Sequence, residues 1–330
     1  MQRPKITALG CYTPPRLLTN ADLEKLVDTS NEWILERTGI RERHIADPEM
    51  ATSDLAVEAA RAALAQRGIE ASSLDAIIVC TVTPDTLFPS TACLVQHQLG
   101  AKGVWGFDLI AACSGFLYGL TTAAHLVAAG SHKKVLVIGA DTMSRIIDYT
   151  DRATCVLFGD GAGAMLVEPS EEEEDAGLID FLNEIDGSGA PYLTMPAGGS
   201  RLPASAETVE KRLHFVHQEG QQVFRFAVRR MYEVCRDLIE RNNMKASDIR
   251  LMIPHQANRR IITATSDRLG LNSDRVVINI ERYGNTTSGT IPLATRDAIA
   301  DGKLKKGDIV LLAAVGAGST VGASLWRWAY

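Results

Sequence analysis

VWGFDLIAACSGFLYGLTTAAHLVAAGSHKKVLVIGA, residues 104–140, reads as a strand, a helix and a second strand. VWGFDL (104–109) is short, apolar and rich in residues that favour strands. SGFLYGLTTAAHLVAAG (114–130) has helical spacing and stops at Gly130, while KKVLVIGA (133–140) is again a buried strand. Upstream, DAIIVCTV (75–82) is a strand and STACLVQHQLG (90–100) a short helix between a Ser cap and a Gly stop. Alternation of this kind predicts an α/β fold with mostly parallel sheets.

The same order returns in the second half. RLMIP (250–254) reads as a strand, NRRIITATSDRLG (258–270) as a helix, RVVINI (275–280) as a strand, TTSGTIPLATRDAIADG (286–302) as a helix and DIVLLAAV (308–315) as a strand. Each half closes with a Gly-rich turn into one more strand, FGDGAGAMLVE (158–168) and VGAGSTVGASLWRW (315–328). The pattern predicts a duplicated unit whose two sheets pack around shared central helices. The join is placed in the acidic run PSEEEEDAG (169–177), expected to be a solvated loop, which divides the chain into residues 1–172 and 173–330. A second irregular stretch (187–211), rich in Gly, Pro, Ala and Ser, is too long for a connector and reads as a surface excursion or an active-site flap.

A chain of 330 residues buries enough surface to fold without disulfides or structural metal. The formal net charge of -6 argues against nucleic acid or an anionic membrane as a partner of the molecule as a whole. The first residues lack the apolar core of a secretory signal, and no segment has the unbroken apolar length of a membrane span. Six cysteines are scattered with no C-x-x-C pair and no His at metal-ligand spacing. Together these features predict a cytoplasmic protein with free thiols, no bound metal and no nucleic-acid or membrane partner.

Ligands of open α/β folds collect at the carboxyl ends of strands, facing the following helices. Cys113, His255 and Asn285 all fall at such junctions, and the two-fold plan gives Cys113 and Asn285 corresponding places. In AACSGF, small neighbours open the approach to the sulfur, and the helix N-terminus favours the thiolate. Taken singly, Cys113 reads as a buried structural thiol, His255 equally well as a structural hydrogen-bonder, and Asn285 as a helix cap. As a set they fit a thiol protease, in which Asn orients His and His deprotonates Cys. They fit equally a condensing enzyme, in which His and Asn both donate to a thioester oxygen that becomes an enolate. Spacing does not separate these readings.

Six motifs, in order, decide between them: SNEWILERTGIRERHIA (30–46), FDLIAACSGFLYGL (107–120), DRATCVLFGDGAGA (151–164), EGQQVFRFAV (219–228), PHQANRRI (254–261) and YGNTTSGTIPLA (283–294). They span nearly the whole chain, which strongly resembles β-ketoacyl-acyl-carrier-protein synthase III, the initiating condensing enzyme of type II fatty-acid synthesis in the thiolase superfamily. The resemblance implies a thiolase fold, the duplicated five-layered αβαβα architecture, and a homodimer. It implies that Cys113 takes the acyl group from a short acyl-CoA. His255 and Asn285 then assist decarboxylation of malonyl-acyl-carrier protein, with CoA thioester as substrate and no permanently bound cofactor. The backbone N–H groups of Cys113 and Ala317 would form the oxyanion hole.

Further roles carry over in the same way. Trp33 and Arg152 would sandwich adenine, Thr29 and Arg37 would hold the nucleotide end, and Phe224 and Asn258 would line the pantetheine tunnel. Phe88 would reach across the dimer to the partner's acyl pocket. Arg260 matches a family position that would meet the acidic carrier protein, and Arg259 and Arg268, on the same expected helix, would add to that basic face. Two positions depart from the family pattern, since Val315 and Val321 stand where aromatic residues are frequent, and Gly316-Ala317-Gly318 replaces three glycines. The remaining alternatives are a thiolase-fold condensing enzyme of secondary metabolism with another starter or extender, a thiol hydrolase, and a catalytically silent scaffold.

Overall fold

The computed structural model describes residues 3–171 and 174–330. The division at 172/173 falls outside these residues, but a separate sheet lies on either side of it. In the first sheet, the strands in chain order are β1 (Pro4–Tyr12), β2 (Ala76–Cys80), β3 (Trp105–Leu109), β4 (Val135–Asp141) and β5 (Gly161–Pro169), with spatial order β1-β5-β4-β2-β3. The second holds β6 (Gly177–Ile185), β7 (Leu251–Pro254), β8 (Ile309–Gly316) and β9 (Thr320–Arg327), in the order β7-β8-β9-β6. Matching β1 with β6, β2 with β7, β4 with β8 and β5 with β9 superposes the two orders, so the duplication is real.

The helices that matter are α1 (Asn31–Thr38), α2 (Thr52–Arg67), α3 (Thr91–Gln98), α4 (Gly115–Ala128), α5 (Gly220–Arg241), α6 (Arg259–Leu269) and α7 (Thr290–Ala300). Helices α4 and α7 lie between the sheets. Their Phe116, Leu120, Ile291 and Ala294 share one core with Val137 of the first sheet and Leu312 of the second. On the outer face of the first sheet, Leu55 and Ala59 of α2 and Val95 of α3 pack against Ile77 and Ile138. On the outer face of the second, Met231 and Leu238 of α5 and Ile262 of α6 pack against Leu311 and Leu325. The five layers are therefore helix, sheet, helix, sheet, helix. Each sheet is apolar on both faces, which is why its strands read as continuous apolar runs rather than alternating ones.

Three expectations are corrected. The sheets are mixed rather than mostly parallel: β2–β3, β2–β4 and β7–β8 are parallel, whereas β1–β5, β4–β5, β8–β9 and β9–β6 are antiparallel. Only residues 317–319 separate β8 from β9, too few for a crossover, so the chain must turn back on itself. Residues 275–280 do not form a strand. Val276 makes a single parallel bridge to Met252, and the ladder then stops because β7 ends at Pro254, which has no N–H to give. The Gln256 amide continues in its place, donating to the Val277 carbonyl at 3.0 Å and accepting the Asn279 N–H at 3.0 Å.

The acidic join is also more tied down than a solvated loop. Residues 172 and 173 lie outside the described residues, but Glu174 pairs with Lys5 and Asp175 with Arg3 and Arg327. No helix among the described residues is long and apolar enough to cross a membrane.

Candidate active site

Cys113 enters at the end of β3, in a short 3-10 turn (Ala112–Ser114) that runs directly into α4. Ala112 is held at φ 47, a left-handed conformation uncommon for a residue with a Cβ. Such strain collects where surrounding structure must aim a functional side chain. Cys113 is buried, and Gly316 at the end of β8 presses on its backbone, since a Cβ at Gly316 would lie 2.8 Å from the Cys113 nitrogen. The turn Ala317–Ser319 follows and shares the cavity lining with Cys113.

His255 follows β7 and is fixed by its own N–H, which donates to the Ala313 carbonyl at 2.7 Å. Its Nδ1 lies 2.6 Å from Thr290 Oγ1, while Nε2 is buried without a protein partner. Burial holds the ring neutral by pushing its pKa down to about 3. Asn285 is anchored by the first half of the chain. It donates to the Leu157 carbonyl at 2.9 Å, and its own carbonyl accepts the Gly159 N–H at 3.1 Å. Its Oδ1 accepts the Thr287 N–H at 2.9 Å, so the amide flip is set and the Nδ2 hydrogens remain for the cavity.

Cys113, His255 and Asn285 line one cavity of about 660 Å³. The duplicated topology thus gathers Cys113 and two residues more than 140 positions beyond it around one space, on the order of a cofactor pocket in size. The expected thiolate does not follow from the surroundings of Cys113. Burial first, and then the Asp141 carboxylate, push the Cys113 thiol up to about 12, and its own backbone N–H lowers it only in part. Desolvation outweighs the helix terminus here. Asp141 is itself fully buried, accepting hydrogen bonds from Val82 N (2.8 Å) and Ser288 N (3.1 Å), and thereby joins the two halves behind the site.

The mouth of the cavity is built from α1, α5 and α6. Ser30 caps α1 by accepting the Trp33 N–H at 3.1 Å, and Asn258 caps α6 by accepting the Arg260 N–H at 2.8 Å. Asn258 Nδ2 also donates to the Arg37 carbonyl at 2.9 Å, tying the two helices together. Trp33, Arg37, Phe224, Asn258 and Arg260 all line the cavity.

Arg152 does not line it. Its guanidinium sits over the Trp33 ring at 4.8 Å, leaving no gap for a base between them, and it donates to the Asp28 carbonyl at 2.8 Å. The Thr29 hydroxyl is buried without a partner and lies off the cavity wall. Phe88 is 86% exposed and remote from the lining of its own chain's cavity.

The three arginines of α6 have different surroundings. Arg260 covers the Phe224 ring at 5.2 Å, Arg268 covers Tyr232 at 4.0 Å, and Arg259 stands 3.8 Å from Glu281. Arg260 alone of these is at the cavity mouth. Val315 and Val321 face each other across β8 and β9, but only Val315 lines the cavity; Val321 is core.

The irregular stretch divides in two. Residues 187–192 form a 3-10 segment whose Gly189 and Tyr192 line the cavity, and the Asp186 N–H donates to the Ser319 carbonyl at 3.1 Å. Residues 199–207 run exposed over the surface. Sequence reasoning missed Thr287, Thr290 and Asp141, whose residue types carry no signal without the tertiary contacts that give them work.

Comparison with known proteins identifies the family. Residues 107–187 match the family model described as 3-oxoacyl-[acyl-carrier-protein (ACP)] synthase III, and residues 239–328 match its C-terminal counterpart. The chain is 76% identical over 331 residues to the beta-ketoacyl-[acyl-carrier-protein] synthase III of Solibacter usitatus (strain Ellin6076), covering 100% of both chains. It is 59% identical to that of Koribacter versatilis (strain Ellin345), covering 100% of this chain and 99% of the relative. Among solved structures, the 3-oxoacyl-[acyl-carrier-protein] synthase III of Aquifex aeolicus VF5 superposes with a TM-score of 0.90 at 45% identity, over 98% of this chain and 100% of that one. The corresponding enzyme of Pseudomonas aeruginosa PAO1 gives 0.91 at 38%, over 99% of each. With its thiolase fold and a cysteine, a histidine and an asparagine around one buried cavity, the chain belongs to the β-ketoacyl-acyl-carrier-protein synthase III family of condensing acyltransferases.

Proposed function

We propose that Cys113 is the acyl-accepting nucleophile, and that His255 and Asn285 carry out decarboxylative condensation at the same cavity. The carrying observation is that all three line one cavity together with Ala317 and with the basic and aromatic side chains of Trp33, Arg37, Phe224 and Arg260. In the first stage, Cys113 sulfur attacks the carbonyl of a short acyl-CoA, acetyl-CoA being the simplest. The N–H groups of Cys113 and Ala317 hold the tetrahedral oxyanion, and the thiol proton leaves on the sulfur of CoA. In the second stage, malonyl-acyl-carrier protein loses CO2 while Asn285 Nδ2 and His255 Nε2 donate to its thioester oxygen. The carbanion then attacks the acyl-cysteine, giving a β-ketoacyl-carrier protein, and one proton restores the thiol.

Trp33 and Arg37 fit the nucleotide end of CoA, with Arg152 and Thr29 behind them, and Phe224 and Asn258 fit the pantetheine arm. A base entering between Trp33 and Arg152 must part them. Arg260, supported by Arg259 and Arg268, suits the acidic carrier protein. The working molecule is a cytoplasmic homodimer in which Phe88 closes the partner's acyl pocket, and residues 1–172 and 173–330 form its two thiolase-like halves.

The test is mass spectrometry after exposure to a panel of acyl-CoAs, followed by malonyl-carrier protein. A mass gain on Cys113, discharged as a chain-extended product, is expected. Release of free acid alone would make the protein a hydrolase.

A further inference from the structure

Thr290, the first residue of α7, stands behind His255 rather than on the cavity wall, and both are buried. Its hydroxyl has one proton and two neighbours able to accept it: His255 Nδ1 at 2.6 Å and the Thr287 carbonyl at 3.2 Å. The closer contact is the stronger one. We propose that Thr290 is a positioning residue that donates to His255 Nδ1 and so keeps the ring proton on Nε2, where it faces the reacting thioester. The proposal rests on the condensing reading given above and specifies how its histidine is prepared.

The chemistry requires this tautomer. Burial keeps the ring neutral, so it carries one proton. If Nδ1 held that proton and passed it to Thr290, Nε2 would present a lone pair to the thioester oxygen. Two lone pairs would then oppose each other, and the enolate would lose one of its two donors. With Thr290 as donor, Nδ1 is satisfied as an acceptor and Nε2–H, which has no partner in the protein, is left for substrate. The same loop sets both donors, since the Thr287 N–H fixes the Asn285 amide five residues before α7 begins.

The experiment compares wild type with Thr290→Val, which keeps the shape but removes the hydroxyl, and Thr290→Ser, which keeps the hydroxyl. Acyl loading of Cys113 and the condensation step are measured separately. Thr290→Val should lower kcat for condensation by about tenfold to a hundredfold, leaving loading and the KM for the malonyl substrate near wild type. Thr290→Ser should restore the rate. Wild-type condensation by Thr290→Val, or equal loss of loading and condensation in both variants, would overturn the proposal.

A second readout needs no turnover. In histidine labelled with 15N, the His255 resonances, assigned with His255→Gln, should show Nε2 protonated and Nδ1 bare in wild type. The opposite pattern overturns the tautomer assignment even if the protein condenses. Absence of condensation in wild type, with the expected resonances, would instead count against the functional reading alone.

Discussion

Asn285 N–H and the Leu157 carbonyl, 128 residues apart in the chain, meet at 2.9 Å, so a backbone bond from the first half fixes where Asn285 of the second sits. The neighbouring Gly284 makes the approach possible. Its φ is 63, and a Cβ there would sit 2.9 Å from the Leu157 oxygen and 3.0 Å from Arg43 Cγ. Gly284→Ala should therefore cost about 1–3 kcal/mol of stability. It should also slow condensation more than loading, as urea unfolding and separate half-reactions would reveal.

Asn285→Ala removes one of the two proposed donors to the enolate while leaving Cys113 and the Ala317 turn in place. Condensation should fall by about 10²–10³-fold, the usual cost of one oxyanion donor. Loading from acyl-CoA should change little, because its oxyanion is held elsewhere. Rapid-quench measurement of each half-reaction decides it, and equal losses in both would count against the division of roles.

The high pKa of the Cys113 thiol predicts a specific pH response. With the group pushed up to about 12, the thiolate fraction rises about tenfold per pH unit across the neutral range. Iodoacetamide labelling of Cys113, followed by mass spectrometry in substrate-free protein, should keep climbing to about pH 10. A plateau near neutrality would mean that the helix terminus wins over burial after all.

His255 should also make the fold acid-sensitive. Its pKa is lowered from 6.5 to about 3, so between those values the unfolded chain binds a proton that the folded chain refuses. Stability is then greatest above 6.5 and falls as the pH drops, by up to about 1.4 kcal/mol per unit from this one group. Urea midpoints at about pH 7, 6 and 5 should show a shallower acid loss in His255→Gln than in wild type.

The parts of this molecule legible in sequence are those written locally. Strands β2, β4 and β8 are unbroken apolar runs, α4 ends at a glycine, and the repetition of the pattern in two halves exposes the duplication. The junction rule then picks out Cys113, His255 and Asn285. What stayed hidden depends on partners distant in the chain. RVVINI has the composition of a strand, but Pro254 opposite it withholds the donor that pairing requires, and the Gln256 side chain takes over. Strand direction was hidden for a related reason, because a Gly-rich turn does not say whether the chain crosses over or doubles back. The rise in the Cys113 pKa is not legible because helix termini are visible in a sequence and the burial around a sulfur is not. Thr290 looks like any hydroxyl at the start of a helix until His255 is placed against it.

Trp33 and Arg152 rest against each other, so on the proposed CoA reading a nucleotide binding between them would have to part a contact worth about 0.5–1 kcal/mol. A carrier protein brings the same pantetheine arm without a base and can leave that clasp shut. On that reading the entrance would tell the two thioester donors apart by what trails behind the arm.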